Sequence, residues 1–374
     1  MDILGYQRPD GQIGIRNKVS IIFSTDCSRY VAQKLKTLFP EGTQIFGYPG
    51  GCSLVKGAFN KLVALGTHSS SAAALVVGLG CEGTDAYDVA GAIGETGRPV
   101  EAIKINEAGG DLKTVETGSR TLARLLQYAS MVERVPMTAA DLIVGTECGG
   151  SDATSGLASN PITGIAGDRL IDDGGTYMIS ELGELLGCSD ILAQRAANEQ
   201  VADEVRKAIG DAEEQGFASG RFQWGYGNIQ GGLTSIEEKS YGALAKSGTK
   251  PLQGLLRTYG LPPGKGFYLQ VGEPGSGFFH GDPEGINQFA AHGAHLALFT
   301  TGCGSTTGGL VPVIKVIANP HRMQLIRDNA DFDASPIIRG ERTIREMGDE
   351  LYEQVLAVAA GRLTKSEIYG HYEV

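Results

Sequence analysis

No run in this 374-residue chain approaches 18 apolar residues, so a membrane-spanning helix is not expected. The opening, MDILGYQRPDG, has neither a basic n-region nor an apolar h-region, and the chain reads as cytosolic and unanchored. Basic charge is scarce. Lys and Arg number 32 against 43 Asp and Glu, a net charge of -11, which argues against nucleic acid or an anionic membrane as partner because both require a basic surface. An anionic small-molecule substrate needs only local positive charge and stays open. The six cysteines include no CxxC pair, so spacing gives no zinc ribbon. In a cytosolic protein they read as thiols or metal ligands rather than disulfides. Internal repeats and low-complexity tails are absent.

Glycine, by contrast, is abundant. Its 55 copies cluster beside short apolar runs, the pattern of many tight loops at strand ends. Five of the six cysteines adjoin a glycine (Cys52, Cys81, Cys148, Cys188 and Cys303), a bias that buried packing residues would not require. The densest loop is GTECGGSDATSGLASNP, Gly145 to Pro161, which follows the apolar run at Leu142. A surface turn needs Gly, Asp and Ser but not a thiol beside a carboxylate. A ligand site at the carboxyl end of a strand does.

Length predicts two domains. Turns over residues 5–17 lead to a strand at Val19 to Ser24, and Thr25-Asp-Cys-Ser28 reads as the N-cap of an amphipathic helix. Further strands are expected near Gln44 to Phe46, Ala73 to Val77 and Val100 to Ile105, with helices between and a long helix over Thr114 to Val132. Pro136 marks a boundary, because proline seldom lies inside an element. The second half repeats the alternation, with strands at Leu142, Thr176 to Ile179, Gly266 to Val271, Leu296 to Thr300 and Val313 to Ala318. A helix spans Val201 to Glu213, glycine breaks the periodicity from Gly216 to Gly232, and an amphipathic helix runs from Ile344 to Val358. The fold class is α/β, two Rossmann-like lobes with mostly parallel sheets flanked by helices, over residues 1–135 and 136–374.

Several constellations offer chemistry. Gly78 to Gly83 fits G-x-G-x-x-G after a strand, yet Cys81 and Glu82 at its centre suit a cation better than a pyrophosphate. Cys52, Cys81 and Cys148 sit in three strand-end loops. They are either ligands of one soft metal or iron-sulfur cluster, or small buried residues. Glu181 and Glu184 would share a helical face. His292 and His295 precede an apolar run and read as core or capping residues. The turn at Thr300 and Thr301 offers a carboxylate cradle, and Asn228 and Lys239 lie near another turn, where Lys239 is a candidate base or charge clamp.

Together RPDGQIGIRN, VVGLGCE, INEAGG, CGGSDATSGLASNP, DGGTYMISELGE, GNIQGGLTSIEEKS, FTTGCGS and GRLTKSEIYGHYE, in that order along essentially the whole chain, resemble the altronate and galactarate dehydratase family. The resemblance implies a metal-dependent lyase, a hydro-lyase that eliminates water from a sugar acid, with ferrous iron or a related divalent metal. Family members often carry His-Gly-Cys-Gly where this chain has Tyr48 to Ser53, and Arg where it has Cys303. The chain starts at the motif that follows a small N-terminal domain in the dehydratases. It therefore looks like the large subunit of a two-subunit form, as in the related sulfolactate sulfo-lyase, with a separate small subunit and a homo-oligomeric assembly. Elimination of sulfite is the alternative chemistry, and an inactive scaffold or regulatory paralogue a further one. The expected roles are metal or cluster ligation by Cys52, Cys81 and Cys148, and a base in Lys239 or Glu181. Asp152, Ser151, Ser155 and Asn160 would bind substrate hydroxyls, and Arg16, Asn17, Asn228, Thr300 and Thr301 its carboxylate.

Overall fold

The structure, a computed structural model, describes all residues except 1, 54, 56, 221–223, 273–280 and 373–374. It divides into two compact units, Asp2–Met137 and Thr138–His371.

The N-terminal unit opens on strands β1 (Ile3–Gln7) and β2 (Ile13–Gly14), where the sequence suggested only turns. Both pair antiparallel in a small sheet completed by β7 (Arg134–Met137). Between them lies a parallel sheet of β3 (Lys18–Phe23), β4 (Thr43–Gly47), β5 (Ser71–Gly78) and β6 (Val100–Lys104), in the order β4-β3-β5-β6. Pro136 falls inside β7, contrary to the expectation that it would separate elements. β7 is an edge strand, where a missing backbone donor is tolerated.

Helices Asp26–Leu38 and Asp111–Ser130 cover one face of the parallel sheet. Their Val31, Leu35, Leu122 and Leu125 pack with Val19, Ile21, Phe23, Leu75 and Val77. Each buried side chain of this kind stabilises by roughly 1.5–3 kcal/mol. Strands buried on both faces explain why the sequence shows unbroken apolar runs here rather than alternation. Thr25 is the N-cap of the first helix as expected, but its hydroxyl donates to Gly50 O instead of capping.

The C-terminal unit holds a seven-stranded sheet of β8 (Ile143–Cys148), β9 (Thr176–Ile179), β10 (Leu252–Leu256), β11 (Gly266–Gln270), β12 (Leu296–Thr300), β13 (Val313–Ile317) and β14 (Phe332–Asp333). All pairings are parallel, in the order β10-β11-β9-β8-β12-β13-β14. The chain leaves β8 to one side, through β9, and returns on the other at β12, which makes the β8/β12 boundary the switch point where such sheets bind ligands. The fold is thus α/β with parallel sheets flanked by helices, as read from the sequence. The helix at Val201 is longer than the periodicity suggested and runs from Glu199 to Ser219. A further short helix, Tyr226–Gln230, lies within the glycine-rich passage, of which residues 221–223 fall outside the described set.

His292 and His295 are buried, as core histidines. His295 Nδ1 accepts the Ile143 amide at 3.0 Å, and His292 Nδ1 lies 3.1 Å from Gly260 O and must donate there. Burial pushes the His292 pKa down to about 4, only partly offset by that bond. The folded state therefore refuses a proton that the unfolded chain accepts below about 6.5. Stability should be full above that pH and fall by up to about 3 kcal/mol as the pH drops to 4. A His292→Gln variant should flatten this part of the Tm-against-pH curve; an unchanged slope would refute the assignment.

Candidate functional site

Cys148 ends β8 and pairs in register with Thr300, the end of β12. The glycine-rich loop begins there and turns through residues 149–154 into a π-helical turn, Ser155–Ser159, and the helix Asn160–Asp172. Such turns recur at functional sites because they re-aim side chains.

The Cys148 thiol is buried against Glu181 and Glu184, and ligand-type atoms of all three lie within 4.8 Å of one another. The Cys148 amide donates to Glu181 Oε2 at 3.0 Å, and the thiol donates to Glu184. Two lysines close the cluster. Lys246 Nζ lies 2.7 Å from Glu181 Oε2 and 3.4 Å from Glu184 Oε2, and Lys239 Nζ lies 2.7 Å from Glu184 Oε1. The two glutamates do not share a helical face as the spacing suggested. Glu181 adopts a left-handed conformation (φ 69°) ahead of a single 3-10 turn, Leu182–Glu184. It is the sole non-glycine residue with positive φ among those described, and backbone strain of this kind collects at functional sites.

Burial would raise the Glu184 carboxyl, but the ammonium groups of Lys239 and Lys246 and the Cys148 thiol more than offset it, so Glu184 is held ionised. Glu181 goes the other way. Burial, with Glu147 and Glu184 facing it, raises it well above the usual range despite Lys246. Burial also raises the Cys148 thiol, which stays protonated. Lys239 and Lys246 are both raised, since the surrounding acidic groups outweigh burial. The result is a buried network of two cations, one firmly ionised carboxylate and one carboxyl of high proton affinity.

The donor set Cys148, Glu181 and Glu184 could hold a metal ion. In this arrangement three of its four carboxylate oxygens are already engaged by two ammonium groups, so a divalent ion held by both carboxylates would have to displace a lysine and bring further positive charge into a buried site.

A cavity of about 270 Å³ opens beside the cluster, lined by Ser151, Asp152, Ser155, Asn160 and Lys239 among others. Ser151 Oγ sits 3.7 Å from Cys148 Sγ, which is 3.8 Å from Glu181 Oε1. Asp152 is fixed by Asn319 at 2.7 Å on one oxygen and by Thr154 and Ser155 on the other. Gly302 and Gly231 let it sit so close, because a Cβ at either would fall 2.2 and 2.6 Å from its side chain.

The other expected binding residues are engaged with the scaffold. Asn160 accepts from Thr300 at 2.7 Å and donates to Gly242 O, and Asn228 donates to Ser151 O at 2.9 Å. Thr301 Oγ1 accepts from the Gly304 amide. Arg16 and Asn17 lie in the N-terminal unit, where Asn17 accepts from Arg8 and donates to Ala129 O. Cys52 and Cys81 also lie in that unit. At the G-x-G-x-x-G turn, Glu82 Oε2 accepts the amides of Gly80 and Cys81 at 2.6 and 2.9 Å. The donors that a pyrophosphate would need are therefore taken.

Lys246 carries no signal in the sequence, and Glu147, the carboxylate beside the Cys148 thiol, is given no role of its own there. Both are buried, and Glu147 accepts from Ser180. Glu147 stands in β8 directly before Cys148, so its strand position could have marked it. Lys246, in a short Ala-Lys-Ser turn, carries no spacing signal.

Residues 139–374 match the family described as D-galactarate/altronate dehydratase, C-terminal, and residues 5–130 match D-galactarate dehydratase/altronate hydrolase, second domain. The chain belongs to the D-galactarate/altronate dehydratase family. It is 35% identical to the (2R)-sulfolactate sulfo-lyase subunit beta of Chromohalobacter salexigens, over 99% of this chain and 95% of that one. It is 28% identical to the altronate dehydratase of Escherichia coli, over 97% of this chain and 74% of that one. A third relative, the galactarate dehydratase (L-threo-forming) of Escherichia coli, is 33% identical over 77% of this chain and 56% of its own length. The protein is accordingly an enzyme of the lyase class, with a dehydratase-like or related lyase function. Among the described residues no helix is long and apolar enough to cross a membrane.

Proposed function

We propose that this dehydratase-family chain is the catalytic large subunit of a lyase that eliminates water from a sugar acid or related hydroxycarboxylate. The observation that carries the reading is the cavity with Lys239 in its wall and the Cys148, Glu181, Glu184 and Lys246 network behind it. Elimination next to a carboxylate needs a base for a weakly acidic proton, a positive partner for the enolate that forms, and an acid for the departing oxygen. Lys239, kept charged by Glu184, serves as that acid and as the enolate's partner. Glu181 serves as the base through Ser151 and Cys148 in its ionised form, which the Lys246 ammonium at 2.7 Å supports, and its raised proton affinity makes that form a strong acceptor. The proton taken from carbon is stored on Glu181, and the hydroxyl leaves as water with the proton of Lys239.

Asp152 and Ser155 would bind substrate hydroxyls. Asn160, Asn228, Thr300 and Thr301 would hold the loops in place. A ferrous or related divalent requirement, a separate small subunit and a homo-oligomer are part of the proposal. The word "subunit" in the name of the Chromohalobacter relative supports the small partner.

A second reading, elimination of sulfite from a sulfonated hydroxy acid, is favoured by the match to that relative over nearly the full length of both chains. A panel of sugar acids and sulfonated hydroxy acids, assayed with and without the co-expressed small subunit, separates the two. A 2-keto-3-deoxy acid without sulfite is the expected product. Sulfite release would establish the second reading, and turnover of neither class would remove both.

A further inference from the structure

The segment from Gln7 to Asn17, which carries the RPDGQIGIRN motif between β1 and β3, takes no part in the elimination mechanism. At its start stands Arg8, buried with 2% of its surface exposed. Its guanidinium is held from three sides: Nε donates to Ser69 O at 2.7 Å, Nη1 to Asn17 Oδ1 at 2.8 Å and Nη2 to Arg16 O at 2.8 Å. All three acceptors are neutral. A guanidinium carries five N–H groups, so one on each terminal nitrogen is left without an acceptor among the described residues.

A buried cation normally has an anionic partner, because its desolvation is otherwise uncompensated. The carboxylate nearest along the chain, Asp10, is committed elsewhere. Its oxygens take Arg98 Nη1 and Nη2 at 2.7 and 3.3 Å and Gln12 Nε2 at 2.8 Å. Arg98 is itself buried, so two buried guanidiniums stand beside one carboxylate, and that carboxylate serves Arg98. Burial, and after it the charge of Arg98, push the Arg8 pKa down to about 10, the direction expected of a cation short of a counter-ion.

The room for a counter-ion lies next to it. A cavity of about 290 Å³ is lined by Arg8, Pro9, Tyr128, Met131, Val132 and Glu133 among others, near the lower end of the range for small-molecule sites. It forms where the end of the helix Asp111–Ser130 and the turn after it meet the start of the segment. The Gln7 amide donates to Glu133 O, and Asn17 Nδ2 donates to Ala129 O at 2.7 Å. Asn17 therefore holds the helix end with its nitrogen and the guanidinium with its oxygen, which fixes the cation relative to the cavity. Pro9, Met131, Val132 and the Tyr128 ring give the cavity apolar walls. Glu133 is exposed and makes no ion pair with Arg8.

We infer that this cavity binds a small monocarboxylate with an apolar body, its carboxylate accepting the two unused N–H groups of Arg8 and its body lying against Tyr128, Met131 and Val132. A bare inorganic anion would leave the apolar walls without a partner, and a sugar acid would press its hydroxyls against them unsatisfied. The site belongs to the N-terminal unit, whereas the cavity beside Lys239 is lined by residues of the C-terminal unit. It is a site for a second ligand, and it stands whether or not elimination occurs beside Lys239.

The test uses the full chain with its methionine methyls labelled with carbon-13, benzoate as the probe and benzamide as its neutral isostere, at constant ionic strength. Benzoate should shift the Met131 methyl resonance, assigned by its loss in Met131→Leu, and saturate in the millimolar range expected of a small single-anchor ligand. The methyl of Met178, buried in the C-terminal unit, should stay in place. Benzamide should bind at least about tenfold more weakly, the loss of a charge-assisted hydrogen bond. Val132→Trp, which fills the cavity, and Arg8→Gln should each abolish the benzoate shift, and Lys239→Met should keep it. Because Arg8→Gln also removes bonds to the scaffold, the comparison of benzoate with benzamide on the wild-type chain stands as an independent readout. An unmoved Met131 methyl, equal binding of benzamide, or loss of the shift in Lys239→Met would each overturn the inference.

Discussion

Lys239→Met is expected to lower kcat by about 10²–10⁴-fold, the usual loss when a positioned proton donor is removed. Methionine keeps most of the apolar stem and removes the charge. Lys246 still faces both glutamates at 2.7 and 3.4 Å, so the buried cluster keeps one cation and the fold should survive. If the substrate only docked on Lys239, KM would rise and kcat would stay. The assignment requires the reverse, a fall in kcat at a Tm within a few degrees of the wild type.

Lys246→Met should produce the largest loss of stability. The ammonium is fully buried and lies against two carboxylates. Removing one partner of a buried ion pair leaves an uncompensated charge and costs about 3–5 kcal/mol. For a unit of this size that is a drop of roughly 6–20 °C in Tm. Glu181→Gln in the same chain should recover part of the loss, because it removes the group left without a partner. Thermal melts of the two single variants and the double variant check this. A double variant no more stable than Lys246→Met would mean that Lys246 acts through packing rather than charge.

The sequence makes some of this legible and hides the rest for identifiable reasons. The central strands are visible because both faces are covered, so Ala73 to Val77 and Leu296 to Thr300 read as unbroken apolar runs ending in glycine. The cavity loop is visible because its composition is costly to order. The geometry at Glu181 is not. A three-residue spacing points to one helical face, whereas the chain places Glu181 in a left-handed conformation so that both carboxylates meet Cys148 from different directions. Lys246 is hidden because nothing in Ala-Lys-Ser distinguishes a buried lysine from an exposed one; its burial is decided by residues more than sixty positions away.

The most direct measurement is product analysis by NMR on the hydroxy-acid panel, with wild type and Lys239→Met prepared anaerobically and co-expressed with the small subunit. A 2-oxo acid is expected from the wild type, with formation at least about a hundredfold slower from the variant at comparable Tm. A variant that turns over the same substrate at the wild-type rate would show that the cavity beside Lys239 is not where elimination occurs.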